Sequence, residues 1–202
     1  MDRPFSQACE NNKQPILEVL QQELSGCDSV LEIGSGTGQH ARYFAERMPR
    51  IAWQPTDRAP NLAGIESWRE DYEGSNLLPA QPLDVSDPVW EIKVPAAVFS
   101  ANTLHIMSWE LVQTLFSRLA ELAPEGSRLL VYGPFNYGGQ YTSPSNARFD
   151  QWLAQQDPCS AIRDFEAVDA LAAAAGYALE SDYEMPANNR LLVWQRSVRN
   201  PA

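Results

Sequence analysis

The chain has 202 residues, 44% of them hydrophobic, and a formal net charge of −11. That length supports one sizeable core, so a single domain over 1–202 is expected. The acid excess disfavours nucleic acid and anionic membranes, because recognition of either rests on Lys and Arg, and here those residues are scattered without a basic run. Cys9, Cys27 and Cys159 lie far apart, with neither a CxxC spacing nor an even framework, which suits thiols kept reduced. The start Met1-Asp2-Arg3-Pro4 leads into polar residues rather than an apolar leader, and a cytoplasmic protein is expected.

In chain order, Ile16, Leu17, Val19, Leu20 and Leu24 recur at helical spacing after Pro15, and Gly26 marks a stop. A strand over 29–33, a helix over 39–48 and a strand over 51–56 follow. Asn61 is placed to cap a helix running to about Tyr72, and 77–83 reads as a proline-interrupted third strand. Asp87-Pro88 starts a short helical turn. A fourth strand over 96–101 leads to a helix capped by Ser108, whose apolar face of Leu111, Val112, Leu115, Phe116, Leu119 and Leu122 ends before Pro124 and Gly126. The fifth strand covers 128–132. Beyond it come an aromatic, glycine-containing loop over 133–141 and helices over 145–155 and 165–175. Segments 177–185 and 190–196 flank Pro186-Ala187-Asn188-Asn189 as a closing hairpin, and 197–202 reads as a frayed tail. The alternation implies an α/β fold, a mainly parallel sheet with helices on both faces and ligands at the C-terminal strand ends.

The most pointed segment is Val30-Leu31-Glu32-Ile33-Gly34-Ser35-Gly36-Thr37-Gly38-Gln39-His40. An apolar strand runs into an acid, three alternate glycines and a helix start, a pattern that lets a ligand approach the backbone and a helix N-terminus. A dinucleotide fingerprint needs glycine at the sixth position, and Gln39 stands there. A nicotinamide-dependent oxidoreductase is thus the weaker alternative.

With Glu32 two positions before Gly34, the segment resembles motif I of class I S-adenosylmethionine-dependent methyltransferases. The resemblance extends along the chain and implies a Rossmann-like, seven-stranded sheet closed by a C-terminal antiparallel hairpin. It divides the chain into an N-terminal helical segment (1–28), a cofactor core (29–135) and an acceptor side (136–202). It implies that Glu32, Gly34, Ser35, Gly36 and Gly38 hold S-adenosylmethionine. Asp57 would attend its ribose, Asp84 and Val85 its adenine, and Arg58 would also belong to the cofactor site. Asn102 would lie near the methionyl part, and S-adenosylhomocysteine would be the product. A carboxylate suits a ribose because two acceptor oxygens meet two adjacent hydroxyls. Singly, each acid could be only a turn or capping residue; three in register with one glycine loop favour the site. More narrowly, the segments Phe5 to Leu17, Gly133 to Gly139 and Ser145 to Asp150 are similar to the methyltransferase-like 26 family.

Methyl transfer from a sulfonium needs little beyond orienting the acceptor and, where necessary, removing a proton. Asn102-Thr103-Leu104-His105 resembles the Asn-x-x-His segment of many small-molecule methyltransferases, and His105 is a candidate general base. A packing histidine is the equal alternative, and His40 is the weaker candidate. Phe135, Tyr137 and Tyr141 are candidates for an acceptor pocket, with Asn12, Lys13 and Arg148 placed to meet an acidic small molecule. Metal ligation is not expected from two separated histidines and dispersed cysteines. The expectation is a methyltransferase acting on a small molecule, with a non-catalytic binding or interaction protein of the same fold as the main alternative.

Overall fold

The computed structural model describes residues 3–198. Its strands form a seven-stranded sheet in the order β3-β2-β1-β4-β5-β9-β8 and a separate two-stranded sheet of β6 and β7. Backbone contacts group the chain into two compact units, 1–100 and 101–202.

The first unit contains α1 (Gln7–Glu23), β1 (Ser29–Ile33), α2 (Gln39–Arg47), β2 (Ala52–Asp57), α3 (Leu62–Arg69) and β3 (Gln81–Pro82), and it includes most of β4 (Ala97–Ala101). β1 pairs in parallel with β2 and with β4, and β2 with β3. Its core centres on Phe44, Trp53 and Phe99, whose ring centroids stand 5.4–5.8 Å apart in tilted and edge-on contacts. Ile16, Leu20, Val30 and Leu31 are buried with them.

The second unit contains α4 (Trp109–Leu122), β5 (Arg128–Gly133), β6 (Phe135–Asn136), α5 (Pro144–Gln156), β7 (Arg163–Asp164), α6 (Phe165–Ala174), β8 (Tyr177–Met185) and β9 (Asn189–Arg196). The closing hairpin is antiparallel, with β9 between β5 and β8. Leu115, Leu119, Leu130, Leu192 and Trp194 fill its interior. The Trp194 indole donates to Asp169 Oδ1 at 2.8 Å, so this buried ring keeps its polar edge satisfied.

Several elements differ from the sequence expectation. α1 begins at Gln7, well before Pro15, because Ser6 caps it with a bond from Cys9 N; apart from Ala8 and Cys9, residues 7–14 are polar and show no apolar period. The third strand shrinks to two paired residues plus a bridge from Leu77 to Trp53, since Pro79 and Pro82 lack the N–H a ladder needs. No helix forms at Asp87-Pro88; Asp87 N instead closes a turn onto Asp84 O at 3.0 Å. Part of the aromatic loop is a strand, β6, paired with β7. Ser197 N donates to Gly176 O at 2.9 Å, so the expected fraying does not start there, and 199–202 lie outside the described residues.

Candidate functional site

The C-terminal ends of β1 and β2 are stitched together. Gly34 N and Ser35 N both donate to Thr56 O, at 3.0 and 2.9 Å, while Thr56 N donates to Ser35 Oγ and Thr56 Oγ1 to Glu32 O. Gly36 N donates to Asp57 Oδ2 at 2.7 Å, and Gly38 N to Ser35 O at 2.9 Å. The glycine loop therefore spends four N–H groups inside the protein. It is ill suited to an anionic pyrophosphate, which needs such donors, and better suited to a ligand approached by carbonyl and carboxylate oxygens.

Two glycines are required for different reasons. Gly38 has a φ of +87°, and a side chain there would place its Cβ 2.8 Å from Ile65 Cα. Gly36 has a φ of +57° with nothing within 4 Å of a Cβ position, so this stretch of backbone faces open space.

Asp57 is 8% exposed and held by three donors. Oδ1 accepts from Arg58 N at 2.7 Å and Asn61 Nδ2 at 2.8 Å, and Oδ2 accepts from Gly36 N. A carboxylate has about four acceptor positions, which leaves one on Oδ2 for a ligand hydroxyl unless the Asn61 amide turns away. Asn61 makes no capping bond to α3 and orients Asp57 instead. The sequence pointed to it only as a cap, and its spacing from Asp57 across Ala59-Pro60 was the available signal.

Glu32 is buried, 1% exposed, and accepts from Trp53 Nε1 at 2.8 Å. Burial pushes its carboxyl up to about 7, opposed by the bonds from Trp53 and Ser35. It braces the loop from beneath. Asp84 is half-buried next to Leu83, whose N–H donates to Asp57 O at 2.9 Å and so brings the third strand end to the second. Asp84 Oδ1 accepts from Ser86 N and Oγ, at 2.9 and 2.6 Å, and these bonds hold its carboxyl below the usual range. One oxygen thus serves the local turn. Val85 is buried and Arg58 exposed.

Gln39 is 3% exposed and joins the loop to the N-terminal helix: Oε1 accepts from Ser6 N at 2.5 Å and from Thr37 Oγ1 at 3.1 Å, and Nε2 donates to Glu10 Oε1 at 3.0 Å. Nothing in the local pattern announces this hub. Asn12 is 7% exposed, its Oδ1 paired with His40 Nε2 at 2.7 Å. His40 stacks on Phe44, and burial pushes its imidazole down to about 4. Lys13 pairs with Glu10 and lies over the Tyr43 ring at 4.8 Å.

In the second unit, Asn102 adopts a φ of +56° and donates its N–H to Tyr132 O at 2.8 Å. Asparagine tolerates this left-handed conformation better than most residues, and such strain tends to mark functional sites. His105 is 5% exposed and edge-on to Phe149, with centroids 5.4 Å apart. Burial, with the Arg163 charge in support, pushes it down to about 4, so it is neutral near pH 7. Phe135 is 1% exposed. Tyr137 stacks on Phe165 and donates to Asp182 Oδ2 at 2.9 Å; burial and that carboxylate push its phenol above the ordinary value. Tyr141 is 46% exposed and donates to Asp150 Oδ2 at 2.7 Å, and Arg148 is exposed on α5. Among the described residues, no group of three or more His, Cys, Asp or Glu could hold a metal ion, and no helix is long and apolar enough to cross a membrane.

The fold is that of S-adenosylmethionine-dependent methyltransferases. The chain is similar to an O-methyltransferase family protein from Burkholderia thailandensis (TM-score 0.80, 16% identity, 92% of this chain and 56% of that one). It is also similar to an O-methyltransferase family 2 protein from Planctomyces limnophilus in complex with apigenin (0.77, 18%, 92% and 56%) and to human N-acetylserotonin methyltransferase in complex with SAM (0.70, 15%, 92% and 55%). It spans about half the length of these proteins. The chain itself belongs to the family described as Protein of unknown function (DUF938), which residues 3–196 match.

Proposed function

We propose that the protein binds S-adenosylmethionine at the glycine loop and transfers its methyl group to a small molecule. The observation that carries this reading is the spending of the loop N–H groups on Thr56, Ser35 and Asp57, with carboxylates standing at the same strand ends. Such a lining disfavours a dinucleotide pyrophosphate and suits a ligand rich in hydroxyl, amino and sulfonium groups. In this reading Asp57 accepts from the ribose, and the Asp84 oxygen not used by Ser86 accepts from the adenine amine beside Val85. Gly34 to Gly38 allow close approach, and Glu32 keeps the loop in shape. Asn102 attends the methionyl part, as the resemblance implies.

When bound, the donor supplies an electrophilic methyl group on sulfur. The chain's own residues orient the acceptor and handle its proton. An imidazole pushed down to about 4 is neutral near pH 7 and can accept a proton or a hydrogen bond, but it is too weak a base to deprotonate an ordinary alcohol. His105 therefore suits an acceptor whose nucleophilic atom is an amine or an acidic hydroxyl or thiol. The narrower similarity to the methyltransferase-like 26 family, a cytoplasmic setting for the three cysteine thiols and a single functional domain belong to the same proposal.

Titration calorimetry with S-adenosylmethionine, S-adenosylhomocysteine and NAD tests it. Heat with both adenosyl ligands and none with NAD is expected. No binding of either adenosyl ligand would overturn the proposal in favour of a non-catalytic interaction protein of the same fold.

A further inference from the structure

Thr103 to Met107 make a single helical turn in which Ile106 N and Met107 N both donate to Thr103 O, at 3.0 and 3.1 Å. A turn that stops there leaves the carbonyls of Leu104, His105, Ile106 and Met107 without helical partners. One segment takes all four. Arg163 Nε donates to Leu104 O at 3.1 Å, Ala161 N to His105 O at 3.0 Å, Ser160 Oγ to Ile106 O at 2.8 Å, and Arg163 Nη2 to Met107 O. Nη2 also donates to Cys159 O at 2.9 Å, drawing the segment onto itself, and Asp150 Oδ1 anchors Ile162 N at 2.6 Å.

Arg163 is only 9% exposed, and its bonds go to neutral carbonyls rather than to a carboxylate. Burying a cation this way is costly, and Ser160 and Ala161 show that neutral donors can satisfy such carbonyls. The guanidinium adds what they do not: a planar fork that spans both ends of the turn. We propose that Arg163 is a positioning residue for His105, clamping the Leu104–Met107 turn and so fixing where the imidazole points. It also sets a positive charge near that ring. Asp150 and Glu110 offset this charge from α5 and α4, while Phe149 covers the ring edge. What His105 does in methyl transfer rests on the proposed function; how it is held does not.

The chain has two histidines, so an isotope-labelled sample gives two imidazole signal sets, one for His105 and one for His40 as internal reference. In Arg163→Met we expect the His105 titration midpoint to rise by roughly one pH unit and its contact to Phe149 in nuclear Overhauser spectra to weaken, with His40 unchanged. Arg163→Lys keeps a charge without the fork, and should hold the midpoint low while losing the Phe149 contact. Ser160→Ala removes one clamp bond and reports the same contact should Arg163→Met fail to fold. His105 signals and Phe149 contacts identical to wild type in the folded Arg163 variants, or in Ser160→Ala and Arg163→Lys if Arg163→Met does not fold, overturn the proposal. Adenosyl-ligand affinity of the unaltered protein reports separately on the proposed function.

Discussion

Asp57 concentrates more of the candidate site than any other side chain, because its three internal donors fix both oxygens before a ligand arrives. A prepositioned acceptor binds without first losing rotamer freedom. Asp57→Asn, which keeps the shape but turns one oxygen into a donor facing Gly36 N or Asn61, is expected to weaken S-adenosylhomocysteine binding at least about tenfold, or ~1.4 kcal/mol. Calorimetry on the variant checks this, and an unchanged affinity refutes the ribose role. Glu32 makes a different prediction. Its folded carboxyl titrates near 7 against a reference of 4.5, so the folded state holds a proton that the unfolded state has lost between those values. Stability attributable to Glu32 is present below pH 4.5 and is lost as pH rises to 7, about 3 kcal/mol in all. His40 and His105, each at about 4 against 6.5, work in the other direction, losing stability as pH falls from 6.5 to 4. Between pH 4.5 and 6.5 Glu32 cancels one of these two histidine contributions and leaves the other. Glu32→Gln should remove the cancellation, so urea unfolding should show the variant weakening on acidification across this window while the wild type changes less.

At the scale of elements, the βα turn from β1 to α2 is constrained by backbone geometry as much as by chemistry. Gly38→Ala would combine a left-handed residue, costing about 1–2 kcal/mol, with a Cβ 2.8 Å from Ile65 Cα. We expect urea unfolding to show a loss of about 2 kcal/mol or more of stability; wild-type stability would mean that α3 yields to make room. The legibility of the elements follows their physics. β1, β2, β4, α4 and the closing hairpin announce themselves through apolar period and caps, and Glu32 and Asp57 fall near strand ends that such a period defines, whereas Asp84 stands two residues past a β3 too short to carry one. β6 and β7, two residues each, are too short to carry any period and exist through pairing with each other. Asn61 looked like a cap because its type suits one, yet its amide finds Asp57, a choice made by packing. The Gln39 bonds to Ser6 and Glu10 cross about thirty residues of sequence and leave no local trace.

For the whole molecule, the acidic surface and the site make a joint statement about ligand type: a net charge of −11 repels anions in general, and the glycine loop offers them no free N–H cradle. Ligand linkage should be visible in bulk stability. S-adenosylhomocysteine at about 100 times its Kd should add ~2.7 kcal/mol and raise the thermal midpoint, with NAD at equal concentration leaving it in place. A midpoint raised by NAD alone would transfer the protein to the oxidoreductase reading.

The Gln39 hub bears on how the N-terminus can be handled at the bench. Ser6 and Glu10 are among the partners of the residue that opens α2 directly after the glycine loop, so shortening the chain from its start strips the loop of an anchor while deleting no residue proposed to touch the adenosyl ligand. A trimmed protein that lost ligand affinity would mimic a binding-site lesion. Restoring Ser6 through Glu10, rather than searching the trimmed stretch for contacts to the ligand, would then be the informative repair.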